Sequence, residues 1–109
     1  MNFNEYQHKC LETANYPPIG HPCIYPALGL ANEAGEVLGK LKKVFRDDGG
    51  KFTEDKLSSL HSEMGDTMWY LATLAHELGF DLESIAIENI EKLKNRKQRN
   101  VIKGDGDNR

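Results

Sequence analysis

The amino-acid sequence predicts an all-α protein, an antiparallel bundle of about four helices in which self-association completes the core. Three observations support this prediction. Apolar residues recur three and four positions apart over long stretches, which is the period of an α-helix. The stretches are joined by short connections containing glycine or an N-capping residue, and helices joined in this way pack antiparallel. No stretch of the 109 residues has the apolar–polar alternation of a strand.

The first predicted element is a short helix from about Phe3 to Asn15, followed by an arm without regular structure. Tyr6, Cys10 and Leu11 share one face of this helix. The arm, YPPIGHPCIYP, contains four prolines and one glycine, which are incompatible with the interior of a helix or strand. Residues 1–25 are therefore expected to form an N-terminal helix and a proline-rich arm.

The second helix is predicted to begin near Pro26, because proline is well suited to a first turn. It ends in a basic turn followed by Asp47-Asp48-Gly49-Gly50, and glycine commonly follows the last turn of a helix. Its apolar face consists of Leu30, Ala34, Val37, Leu38, Leu41 and Phe45.

The third helix is predicted from the N-cap Thr53 to about Leu78, where Gly79 ends it. It would contain about 26 residues and span roughly 39 Å. Such a helix presents more apolar surface than three shorter partners can cover, so we expect the chain to self-associate. The apolar stripe consists of Leu57, Leu60, Met64, Met68, Leu71, Leu74, Ala75 and Leu78.

Asp81 is predicted to cap the fourth helix, and the glycines and aspartates of the tail cannot continue it. Residues 26–98 would then hold the functional helices of one domain, 1–109, with a basic and Gly-Asp tail at 99–109. The expected buried side of the fourth helix consists of Leu82, Ile85, Ala86, Ile90 and Leu93.

Composition excludes several classes of protein. No run approaches the roughly 18 apolar residues of a membrane span, and the N-terminus lacks the apolar middle of a secretory signal. Cys10 and Cys23 form neither a disulfide framework nor a zinc spacing, which indicates two reduced thiols in a cytoplasmic protein. A net charge of −3 argues against coating of nucleic acid. We therefore expect no membrane and no nucleic-acid partner.

Two pairs of acidic residues are the chemically informative motif. Glu33 and Glu36 lie three apart on the second helix, and Glu63 and Asp66 lie three apart on the third, so each pair shares one helix face. Both pairs border apolar faces, and each encloses a glycine, which costs a helix about 1 kcal/mol relative to alanine. One such pair is most often solvated surface, but two matching pairs indicate a metal site.

The ligand chemistry narrows the choice of metal. Four carboxylates with no histidine or cysteine among them suit Mg²⁺, with Mn²⁺ as a substitute, rather than zinc. A di-iron bundle would require Glu-x-x-His pairs, which neither helix has. Carboxylates that hold Mg²⁺ and leave positions open commonly support phosphate chemistry.

A basic segment offers possible phosphate contacts. From Lys92 to Lys103 there are six basic residues and no acidic one. Such a run is either a solvated helix end that complements the helix dipole or a set of phosphate ligands. The sequence alone leaves both interpretations open.

The same residues resemble a known family. GLANEAGEV at 29–37 and EMGDTMWYLA at 63–72 are similar to the motifs of the MazG-like nucleotide pyrophosphohydrolases, as are NIEKLKNR at 89–96 and the ending GDGDNR. The resemblance implies Mg²⁺-dependent hydrolysis of nucleoside triphosphates to monophosphate and pyrophosphate. It also implies a helical homodimer or homotetramer. The match covers most of the chain from about residue 25 onward.

Residue by residue, the resemblance implies two groups of site residues. One departure is Asn32, where many members have a glutamate, and it leaves the number of bound metals open. Apart from the resemblance, Tyr70 is a candidate substrate contact because its ring can stack on a base, although aromatic residues beside an apolar stripe are usually core. The implied metal ligands and catalytic residues are Glu33, Glu36, Glu63 and Asp66, and the implied substrate contacts are Asn89, Lys92 and Arg96.

Two alternatives remain from the sequence. One is a related helical pyrophosphohydrolase that acts on a phosphoribosylated nucleotide. The other is a non-catalytic bundle that binds partners through its long helix, with the four acids as mere surface. The motifs Glu-Ala-Gly-Glu and Gly-Asp-Asn-Arg favour the MazG-like interpretation over the first alternative.

Overall fold

The protein contains four α-helices and one 3₁₀ turn, and no residue lies in a strand. The computed structural model describes all 109 residues. This confirms the predicted all-α fold class. The elements in chain order are α1 (Phe3–Cys10), the 3₁₀ turn (Leu11–Thr13), α2 (Ile24–Asp47), α3 (Glu54–Glu77) and α4 (Leu82–Gln98).

Helices α3 and α4 begin where their capping residues predict. The side chain of Thr53 accepts a hydrogen bond from the backbone N–H of Lys56, and that of Asp81 accepts one from Ser84. Each cap satisfies a backbone donor that the first turn leaves without a partner. Gly79, with φ +79°, follows the end of α3 as predicted.

Helix α1 is shorter than predicted. It ends at Cys10 rather than near Asn15, and the chain passes through the 3₁₀ turn into an extended Ala14. The Thr13 hydroxyl donates to the Cys10 carbonyl oxygen and accepts a hydrogen bond from Trp69 Nε1 at 3.0 Å. These local and tertiary bonds offer the chain an alternative to further helix, which propensity alone does not reveal.

The α2–α3 hairpin forms the body of the molecule. Its register is marked by two contacts, the ring of Tyr70 against Gly29 at one end and the hydrogen bond from Lys40 to Ser59 at the other. The predicted antiparallel packing of these two helices is confirmed. Helix α2 begins at Ile24, two residues before the predicted start, and Pro26 is buried in its first turn.

Gln7 joins three helices. Its side-chain amide donates to the carbonyl oxygens of Ala72 and Phe80, at 3.1 and 3.0 Å, and accepts from the N–H of Leu82 at 3.0 Å. Gln7 is buried, so these bonds are shielded from competing water. The amide therefore ties α1 to the end of α3 and the start of α4.

Helix α4 leaves the body after its first turns. Leu82 is buried and Ile85 packs beside the small core around Cys10 and Ala72. Ile90 and Leu93 are 63% and 40% exposed, so the prediction that they are buried is wrong for the second half of α4. The radius of gyration is 16.9 Å, against about 13 Å for a compact domain of this size.

Apolar side chains of the hairpin also remain open to solvent, as the length of the α3 stripe predicts. Only 10 of the 109 residues are buried, which is a small core for a chain of this length. None of the helices has an apolar stretch of the length needed to cross a membrane. The apolar groove, a hollow of about 460 Å³ between α2 and α3, is lined by Ala34, Val37, Leu38, Met64, Thr67, Met68 and Leu71.

Candidate metal centre

Three carboxylates meet between α2 and α3. Glu33 of α2 and Glu63 and Asp66 of α3 each offer an oxygen within 4.8 Å of the others. Glu33 and Glu63 are half-buried and Asp66 is exposed, so the group opens to solvent on one side. We call these three residues the acidic cluster. They come together because the hairpin register places the two acidic motifs of the sequence opposite each other.

The electrostatics of the acidic cluster favour a cation. Burial raises the pKa of Glu33, and a hydrogen bond to Glu63 and the negative charges of Asp66, Glu63 and Glu36 raise it further. Like charges this close disfavour full ionisation unless a proton or a cation lies between them. A hard divalent cation would relieve the repulsion and suits an all-oxygen donor set.

Glu36 lies outside the acidic cluster. It is exposed, and its carboxylate does not meet the other three. A residue three positions after Glu33 is rotated by about 60° around the helix axis, which turns the Glu36 side chain toward the rim. The structure thus brings together three of the four predicted ligands, while the charge of Glu36 still acts on Glu33.

Lys40 is a neighbour of the cluster that the sequence motifs did not indicate. Its Nζ lies 3.1 Å from Glu63 Oε1 and donates a hydrogen bond to Ser59 Oγ. Its position seven residues after Glu33 places it on the same face of α2, and this spacing is the signal that could have found it. Lys40 supplies the one ion pair made by the acidic cluster.

Tyr70 packs on α2 one turn from the carboxylates. A Cβ atom at Gly29 would lie 2.2 Å from Tyr70 Cε1, so only glycine leaves room for the ring. The ring centroid lies 5.0 Å from that of Trp69 and 6.5 Å from that of Tyr25. Burial raises the pKa of Tyr70, and Tyr25 and Glu33 raise it further.

The proline-rich arm lies against this aromatic group. Tyr16 stacks on Tyr25 with ring centroids 5.8 Å apart, and its hydroxyl donates to Glu77 at 2.6 Å. Burial and the Glu77 carboxylate together raise the pKa of Tyr16. The arm and α2 enclose a hollow of about 240 Å³ that is lined by Ile19, Tyr25, Leu28, Gly29, Asn32 and Tyr70.

Two of the predicted substrate contacts on α4 pair with the C-terminal tail rather than with the acidic cluster. Lys92 Nζ and Arg96 Nη2 bind Asp107 Oδ1 of the tail at 2.9 and 3.0 Å, and neither pairs with a carboxylate of the cluster. The side chain of Arg96 is only 6% exposed. The two cations lower the pKa of Asp107, Lys92 more than Arg96. Asn89 is exposed on the same helix.

Comparison with known proteins finds a family and a relative that match the chain. The family model of the MazG nucleotide pyrophosphohydrolase domain matches residues 26–101, which include the acidic cluster and all of α4. The chain is 41% identical over 114 residues to the Gene 37 protein of Mycobacterium phage L5, and the match covers 100% of both chains. No solved structure matches the chain.

Proposed function

The chain belongs to the MazG nucleotide pyrophosphohydrolase family, and we propose that it hydrolyses nucleoside triphosphates to the monophosphate and pyrophosphate with Mg²⁺. The observation that carries this proposal is the acidic cluster between α2 and α3. Its three carboxylates suit Mg²⁺, and Mn²⁺ as a substitute, better than a soft metal. Two free cysteines fit a reaction in the cytoplasm.

The roles we assign follow from position. Glu33, Glu63 and Asp66 would hold the cation, which when bound supplies positive charge for the phosphate oxygens and activates water as a nucleophile. Glu36, exposed at the rim, is free to accept the proton of the attacking water. Attack at the α-phosphorus breaks the bond to the bridging oxygen, which leaves with pyrophosphate.

Aromatic residues beside the cluster suit a base. Tyr70 and Tyr25 line the hollow next to Glu33, and aromatic faces stack on any base with little sequence preference. Asn32 lies at the same hollow and offers an amide donor and acceptor. We propose that the nucleobase enters here.

The predicted phosphate contacts on α4 would reach the substrate from a second copy of the chain. Asn89, Lys92 and Arg96 would contact phosphate, Arg96 through its planar fork and Lys92 as a point charge. Within one chain Lys92 and Arg96 both pair with Asp107 and neither pairs with the acidic cluster. The apolar groove and the exposed second half of α4 support self-association to a homodimer or homotetramer.

The direct test is pyrophosphate release from a panel of canonical and modified nucleoside triphosphates. Wild type is expected to release pyrophosphate with Mg²⁺ and not with chelator, and Glu63→Gln is expected to abolish the release. Glu88→Gln, an exposed position on α4, is the matched control and should leave the rate unchanged.

Two outcomes would redirect the proposal. If a phosphoribosylated nucleotide is hydrolysed and no triphosphate is, the proposed substrate class is wrong, while the proposed metal-dependent hydrolysis is retained. If nothing is hydrolysed and Mg²⁺ leaves the melting temperature unchanged, the chain is a binding module, because a ligand of the folded state must stabilise it.

A further inference from the structure

We propose that Lys40 binds the leaving pyrophosphate, so that the nucleotide lies along the α2–α3 seam with its base at Tyr70 and its terminal phosphates at Lys40. This inference rests on the proposed function and deepens it by giving the substrate a direction. It also assigns a catalytic role to a residue that belongs to neither acidic motif.

The seam has three chemically distinct layers. At one end the Tyr70 ring lies on Gly29, in the middle is the acidic cluster, and at the other end Lys40 meets Ser59. Gly29 and Lys40 are eleven residues apart on α2, which corresponds to about 16 Å along the helix. An aromatic face, a cation site and an ammonium therefore follow one another along a single line, as do base, α-phosphate and pyrophosphate in the substrate.

Lys40 is held loosely enough to change partner. Its side chain is 32% exposed, and a partly exposed ion pair of this kind contributes little to stability. The lysine stem is flexible and its charge is compact, so the ammonium can follow a phosphate oxygen over several ångströms.

A bound cation would compete with Lys40 for Glu63. Glu63 offers an oxygen to both the ammonium and the acidic cluster. With a divalent cation held by the cluster, the charge of Glu63 would be neutralised and the Lys40 ammonium repelled, so that the ammonium would require another anion. Hydrolysis would supply one: water adds its oxygen to the α-phosphorus and gives a proton to Glu36, the bond from the α-phosphorus to the α–β bridging oxygen breaks, and the electron pair of that bond leaves on pyrophosphate. An ammonium at that point stabilises the developing charge.

Three other basic side chains already have carboxylate partners within one chain. Lys92 and Arg96 are engaged with Asp107 on α4, and Arg46 is engaged with Asp47 at the far end of α2. Lys42, two residues after Lys40, is exposed and makes no ion pair, which makes it the matched control.

The test measures two equilibria without turnover. Titration calorimetry with Mg²⁺ alone is expected to show several-fold tighter binding for Lys40→Met than for wild type, because the competing ammonium is gone. Titration of inorganic pyrophosphate in the presence of Mg²⁺ is expected to show a loss of about tenfold to a hundredfold, the range for one charge-assisted hydrogen bond. Lys42→Met should match wild type in both titrations.

A second variant guards against misfolding. Lys40→Gln keeps a donor for Ser59 and Glu63 but lacks the charge, so the same weakening of pyrophosphate binding is expected from it. Wild-type pyrophosphate affinity in both variants, or weaker Mg²⁺ binding in both, would show that Lys40 only positions Glu63 and would overturn the inference. Absence of pyrophosphate binding to wild type would overturn it as well.

The inference and the proposed function can fail separately. If wild type hydrolyses triphosphates and the Lys40 variants keep its KM and kcat, the function stands and the role of Lys40 falls. If no nucleotide is hydrolysed but Mg²⁺-dependent pyrophosphate binding requires Lys40, the role of Lys40 stands and the proposed reaction falls.

Discussion

Replacing Gly29 with alanine should destabilise the protein, although alanine is the better helix former. The new Cβ would lie 2.2, 2.4 and 2.5 Å from Cε1, Cδ1 and Cζ of Tyr70. Ordinary carbon contacts lie at about 3.5–4.0 Å, so the ring would have to retreat by more than an ångström. Trp69 and Tyr25 pack against that ring and restrict its retreat.

The magnitude follows from two opposing effects. Overpacking of this kind typically costs about 1–3 kcal/mol, while alanine for glycine inside a helix gains about 1 kcal/mol. The net change at position 29 is therefore a loss of about 0–2 kcal/mol. Gly39 lies on the same helix, and a methyl group added there would have no neighbour within 4 Å, so Gly39→Ala should gain the full helix term. We expect the two variants to differ by about 1–3 kcal/mol in free energy of unfolding.

Chemical denaturation of wild type, Gly29→Ala and Gly39→Ala measures this difference, and a Tyr70→Ala background supplies the decisive comparison. Without the ring, Gly29→Ala should become stabilising, so the two substitutions should show a coupling free energy of the size of the clash. If Gly29→Ala stabilises wild type as much as Gly39→Ala does, the close approach of Tyr70 to α2 is wrong. The seam described above would then lose its aromatic layer.

Three further predictions concern charge, the core and assembly. The raised pKa of Glu33 means that the folded state binds a proton more tightly than the unfolded state, so metal-free stability should fall as pH rises from the ordinary glutamate range through that raised pKa. Melting temperatures with chelator should show this slope, and Glu33→Gln should flatten it. Gln7→Leu should cost about 2–4 kcal/mol in urea denaturation, because the Phe80 carbonyl oxygen and the Leu82 N–H, at the junction of α3 and α4, lose the side chain that pairs with them. Leu38→Glu, in the apolar groove, should shift the mass measured by light scattering toward the monomer, and an unchanged mass would exclude the groove as the interface.

The parts of the fold that the sequence predicts well are determined locally. The caps at Thr53 and Asp81 and the glycine after α3 act within one turn of the chain, so their chemistry is visible without tertiary information. The predicted end of α1 is wrong because a hydrogen bond from Trp69, far along the chain, holds Thr13 in the 3₁₀ turn. The sequence around Thr13 contains no pattern that predicts this bond.

The candidate site shows the same division. The acidic motifs identify the chemistry, and helical spacing places each pair on one face, but only the register of α2 against α3 selects Glu33, Glu63 and Asp66 as the cluster. Glu36 satisfies the same sequence motif and stays at the rim. The acidic motifs do not identify Lys40, because it is not an acidic ligand. Half-buried carboxylates nevertheless require a positive charge nearby, and Lys40 supplies it.

Helix periodicity predicts which side chains favour burial, but it does not predict whether the same chain or a second copy buries them. Ile90 and Leu93 satisfy the apolar pattern of α4 and are exposed, and Leu38 and Met64 do the same on the hairpin. Exposed apolar faces of this extent on two separate elements are typical of surfaces that associate. A second copy that covered both would also be the natural means of bringing a basic α4 to the acidic cluster. Charge complementation tests this directly. Mixing Leu38→Glu with Leu93→Lys should restore the assembly that each variant loses alone. Failure to restore it would show that the apolar groove and the exposed face of α4 do not contact each other.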